Sequence, residues 1–127
     1  MKKKILVIDD DLIYCEILRK ILCLSYELVF TDNTHEALDL ISLNNSFDLV
    51  IADINIPGVE GFGFIKLLLS KMNLMETPLI VISGMDDKYM VNRLLVIGVL
   101  KYFIKPLEHR VFKQEIDSLV KNTKRVL

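Results

Sequence analysis

The chain has 127 residues, with 16 Lys plus Arg against 17 Asp plus Glu, and 52% of it is apolar. That length suits one domain, expected over residues 1–127, and the composition excludes a disordered or collagen-like polymer. A net charge of -1 gives no global reason to bind nucleic acid or an anionic membrane, and neither is expected as a direct partner.

The segment Leu94 to Leu100 is an uninterrupted apolar run of seven residues, against roughly 20 for a membrane-spanning helix. The start has a basic head and then apolar residues. Only Ile5 to Ile8 precede three aspartates, too short a run for a signal peptide. A cytoplasmic protein is expected. Cys15 and Cys23 fall eight residues apart. On one helix their rise is about 12 Å, beyond the ~7 Å that a disulfide allows between Cα atoms, so both should be free thiols.

In chain order, Lys4 to Ile8 reads as a strand buried on both faces, because it is apolar and bounded by charge. From Asp11 to about Leu24, the residues Leu12, Cys15, Leu18 and Leu22 keep helical spacing. Glu27 to Thr31 is strand-like. Asn33 followed by Glu36 forms a capping box, opening a helix with Ala37, Leu38 and Ile41 on one face. Asp48 to Ala52 is a third strand, followed by a loop to Gly61 and a helix from about Phe62 to Met72. Pro78 to Ile82 is a fourth strand. A helix from Asp86 to about Ile97 is stopped by Gly98. Lys101 to Ile104 is a fifth strand. A last helix from Glu108 to about Arg125 turns Val111, Phe112, Ile116, Leu119 and Val120 inward. Strands alternating with helices imply parallel pairing with right-handed crossovers, hence an α/β doubly wound (βα)5 fold.

In such sheets ligands bind at the carboxyl ends of the strands. Past the first strand come Asp9, Asp10 and Asp11; past the third, Asp53; past the fourth, Ser83; past the fifth, Lys105 and then Pro106. Carboxylates, a hydroxyl and an ammonium thus gather on one edge. Each has a plain structural reading, and Asp11 is best read as a helix cap. Their coincidence at equivalent ends of different strands favours a site. Converging carboxylates repel unless a cation intervenes, and oxygen ligands without Cys or His suit Mg²⁺ or Mn²⁺. A carboxylate can also attack phosphorus, with the ammonium and hydroxyl neutralising the transferred group.

The segments ILVIDDD, DLVIADINIPGVEGF, PLIVISG and GVLKYFIKPL, in this order, resemble the response-regulator receiver domain (CheY-like) of two-component signalling. The resemblance covers about Lys3 to Val120. It implies a flavodoxin-like five-stranded parallel sheet in the order 2-1-3-4-5. It also implies residue roles. Asp53 corresponds to the phosphorylated aspartate. Asp9 and Asp10, with Asp53 and the backbone carbonyl of Asn55, correspond to the metal ligands. Ser83 corresponds to the switch hydroxyl, Lys105 to the phosphoryl-pairing lysine before a cis proline, and Tyr102 to the aromatic switch. Gly84 and Val99 stand where Ala is frequent, Ser83 where Thr is commoner, and Glu60 where Asp is usual; none removes a reactive group.

The resemblance further implies a sensor histidine kinase or phosphotransfer protein as donor. The product would be a self-catalysed phosphoprotein that also dephosphorylates itself, rather than a multi-turnover enzyme. Output would pass by contact to a downstream protein or output domain through the fourth helix, fifth strand and fifth helix, with a phosphorylation-linked homodimer as one form. The fourth helix carries apolar residues around more of its circumference than one buried face needs. The alternative from another class is a receiver-like scaffold that binds partners without phosphorylation. A flavodoxin-like cofactor binder fits poorly, because three aspartates after the first strand repel phosphate.

Overall fold

The computed structural model describes residues 2–43, 47–54, 60–73 and 76–122. Its elements are β1 (Lys3–Ile8), α1 (Leu12–Leu22), β2 (Tyr26–Thr31), α2 (Thr34–Leu43), β3 (Leu49–Asp53), α3 (Gly61–Ser70), β4 (Leu79–Ser83), α4 (Lys88–Ile97), β5 (Lys101–Ile104) and α5 (His109–Asn122). The five strands form one parallel sheet in the order β2-β1-β3-β4-β5. The architecture is therefore the doubly wound, flavodoxin-like one expected. Strand ends move by a residue: Asp53 and Ser83 close β3 and β4 rather than following them.

Alternate side chains of the central strands feed two cores. Leu6, Ile8, Val50, Ala52, Leu79 and Val81 pack with residues of α2, α3 and α4. Ile5, Val7, Leu49, Ile51, Ile80 and Ile82 pack with residues of α1 and α5. Every residue of β3 and β4 is buried, as the unbroken apolar runs require. The edge strands β2 and β5 are only partly covered.

Helix starts follow capping chemistry. Asp11 accepts from the Ile13 and Tyr14 N–H groups, Asp87 from those of Tyr89 and Met90, and Glu60 from those of Phe62 and Gly63. Asn33 Oδ1 accepts from the Glu36 N–H at 3.0 Å, so the capping residue is the one expected. Gly98, at φ 125°, ends α4, where an L side chain would be strained.

One residue with helical spacing faces outward, and one inward assignment needs correction. Leu12 is 76% exposed; Tyr14 joins Cys15, Leu18 and Leu22 on the buried face instead. Val111 is 54% exposed, while Phe112, Ile116 and Val120 carry the buried face of α5. Cys15 is buried, Cys23 exposed, and both are free thiols as expected.

Gly61 opens α3 against the end of β3. A Cβ there would collide with the Ile54 carbonyl oxygen and lie 3.1 Å from Ile54 Cβ. Backbone cannot rotate aside, so Gly61→Ala should destabilise the fold by about 1–3 kcal/mol. Urea unfolding checks this against Gly84→Ala, whose new Cβ meets nothing within 4 Å. Equal midpoints for the two variants would contradict the contact.

Candidate functional site

The carboxyl edge gathers the side chains singled out by their positions after the strands. Asp9 follows β1 and is 2% exposed, Asp53 ends β3 at 4%, and Ser83 ends β4 at 0%. The Lys105 backbone N–H donates to the Ser83 carbonyl oxygen at 2.8 Å, extending the β4–β5 pairing by one step. Its side chain turns to the centre, where Nζ donates to Asp53 Oδ2 at 2.9 Å and to Asp9 Oδ2 at 3.5 Å. The Lys105–Pro106 peptide bond is cis, as the resemblance implied. Asp10, next after Asp9 in the chain, is exposed. Asn55 lies outside the described residues.

Electrostatics are finely opposed here. Burial pushes the Asp9 carboxyl up to about 6, and the Asp53 charge adds to this. The Asp11 N–H, which donates to Asp9 Oδ1 at 2.9 Å, and the Lys105 ammonium pull the other way. Burial alone would lower Lys105; its bond to Asp53 and the charges of both aspartates outweigh that and hold it above its ordinary value.

Ser83 and Tyr102 form a second cluster. Ser83 Oγ accepts from the Met85 N–H at 3.0 Å. The Tyr102 hydroxyl donates to the Met85 carbonyl oxygen at 2.8 Å. Burial raises the Tyr102 pKa. The half-buried Tyr102 therefore ties β5 to the turn before α4.

One contributor escaped the reading of the strand ends. Tyr14 places its ring 4.3 Å from Lys105 Nζ, and its hydroxyl accepts from the Leu107 N–H at 2.8 Å. A cation over an aromatic face is held in place, so Tyr14 positions Lys105 from below. Its spacing of four from Leu18 was the available signal that it faces inward.

The donor set suits a hard divalent cation. Two buried carboxylates, Asp9 and Asp53, face one ammonium and offer oxygen donors, while among the described residues no three acidic, His or Cys side chains converge as a metal-holding group. Burial, with the Asp53 charge adding to it, weakens Asp9 as an acid, and a further cation beside the pair would favour its ionised form.

The family model of the response regulator receiver domain matches residues 5–117. The chain belongs to this family. It is 31% identical over 122 residues to the two-component response regulator ARR12 of Arabidopsis thaliana, covering 94% of this chain and 20% of that protein. It is 30% identical over 125 residues to the probable transcriptional regulator ycf27 of Cyanophora paradoxa, covering 96% and 50%. The chain thus spans a fifth to a half of the length of these relatives. A CheY-like receiver domain from Methanospirillum hungatei JF-1 superposes with a TM-score of 0.86 at 24% identity, over 97% of each chain. Receiver domains of two-component systems interact with histidine kinases and output domains, and generally bind Mg²⁺ at an acidic pocket. Among the described residues no helix is long and apolar enough to cross a membrane.

The raised Asp9 pKa makes receiver stability depend on pH. A folded-state value of about 6 against 3.8 means that the protonated form favours folding. The contribution is complete below about pH 4 and is lost as pH rises through 6. In chelator, Asp9→Asn should therefore gain on the order of 2–3 kcal/mol over wild type at pH 8 and nothing at pH 4. Urea unfolding across this range reads it; a gain independent of pH would refute the burial cost.

Proposed function

We propose that this receiver takes a phosphoryl group from a phosphohistidine of a partner kinase or phosphotransfer protein onto Asp53, and changes conformation in response. The observation that carries the reading is the Lys105 ammonium set 2.9 Å from Asp53 and 3.5 Å from Asp9. An Asp53 carboxylate oxygen attacks phosphorus in line. The new O–P bond forms as the P–N bond of the phosphohistidine breaks, and the imidazole leaves with the electron pair. Lys105, already charged and oriented by Tyr14, pairs with an oxygen of the transferred group. Asp9, Asp10 and Asp53, with the Asn55 carbonyl, would hold Mg²⁺ or Mn²⁺, which supplies charge neutralisation for the phosphoryl oxygens.

Ser83 offers the switch. Its hydroxyl accepts from the Met85 N–H, and a phosphoryl group on Asp53 brings roughly two negative charges beside it. Turning Ser83 toward that group breaks the bond from the Met85 N–H. The loss frees the link from Tyr102 to the Met85 carbonyl and shifts the turn that leads into α4. The readout surface is α4, β5 and α5, toward a downstream protein, an output domain or a second copy, in the cytoplasm.

Acetyl phosphate tests this directly. Intact mass should show one added phosphoryl group with Mg²⁺, and none in chelator or in Asp53→Asn. No added mass, together with no binding of beryllium fluoride, would leave the scaffold reading in its place.

Gly84 sets the lifetime. Nothing lies within 4 Å of the position its Cβ would take, and that opening would admit water toward the acyl phosphate. Gly84→Val should lose phosphate more slowly than wild type; an equal or faster rate would show that water enters elsewhere.

A further inference from the structure

Away from the carboxyl edge, α3 and α4 leave an open groove of about 330 Å³ lined by Phe62, Tyr89, Asn92, Arg93, Val96 and Ile97. Its one charge is Arg93. The guanidinium lies 3.9 Å from the centroid of the Phe62 ring and 5.4 Å from that of Tyr89. Among the described residues no carboxylate pairs with it. Beside it, Tyr89 is 71% and Val96 85% exposed.

Stacking between two rings removes much of the freedom an arginine would otherwise lose on binding, and leaves its N–H fork ready for a carboxylate. The aromatic and aliphatic walls next to it ask for an apolar side chain. The groove is thus complementary to one negative charge set close to one large apolar group. A second copy could offer such a surface at the start of α1, where exposed Leu12 and Ile13 adjoin Asp10 and Asp11. That contact would join unlike surfaces and would grow an open chain rather than a closed dimer. A different protein is the better occupant.

We propose that the α3–α4 groove docks a segment of another protein carrying an aspartate or glutamate within one helical turn of a large apolar side chain. Arg93 takes the carboxylate, and Val96 and Ile97 take the apolar group. The site is separate from Asp53 and needs no phosphorylation.

A random dodecapeptide library displayed on phage is selected on the full chain and counter-selected on Arg93→Gln. Survivors should be enriched in Asp or Glu three or four positions from Leu, Ile, Met or Phe. One synthetic survivor should move the amide NMR signals of Phe62 and residues 89–97. Arg93→Gln and Val96→Asp, both folded by circular dichroism, should each weaken it about tenfold or more. No survivors, survivors without acidic enrichment, or binding indifferent to Arg93→Gln would overturn the proposal. Self-association of the chain that Arg93→Gln abolishes would overturn it in favour of a second copy.

Discussion

Charge has no place inside β1, β3 or β4. Their middles are sealed on both faces by helices, and an unpaired carboxylate there would cost several kcal/mol. Polar side chains are therefore confined to the strand ends, and parallel pairing brings the same end of every strand to the same edge. Asp9, Asp53 and Ser83 meet at this edge because the middles of their strands exclude them, and Lys105 joins them from the end of the edge strand β5. The site is in this sense a by-product of how completely the sheet is buried.

That confinement has an electrostatic consequence. Two carboxylates so poor in solvent share one ammonium at 2.9 and 3.5 Å, and the pair stays undercompensated. The remaining negative charge creates the appetite for a hard cation, and the same ammonium then meets an incoming phosphoryl oxygen. Tyr14 matters for the same reason. A lysine reaching across two acids needs a fixed position, and an aromatic face supplies one without adding charge.

Much of this was legible in the chain. Apolar runs bounded by charge located the strands to within a residue, and the residue after each named Asp9, Ser83 and Lys105 as neighbours. Periodicity did less well on helix faces. Leu12 satisfies the spacing of α1 yet stands about a third of a turn from the centre of its buried face, and Val111 precedes Phe112 on the outward side of α5. Spacing reports that an apolar arc exists; which part of it meets the sheet depends on how the helix is set down. Tyr14 was missed because an aromatic beside a cap has no polar signature of its role. The bond from the Tyr102 hydroxyl to the Met85 carbonyl joins β5 to the turn after β4, a contact no local pattern announces.

The outer margin of the sheet shows one more effect. β5 has four residues, Lys101 at its start pairs with Glu115 of α5 at 2.9 Å, and Pro106, which lacks a backbone N–H, comes two residues after its end. A free strand edge is a template on which another chain can add by backbone hydrogen bonding, the first step toward cross-β aggregation. A short edge, charged at one end and closed by proline at the other, offers little to such a template. Main-chain pairing, which propagates, is thereby disfavoured at this margin.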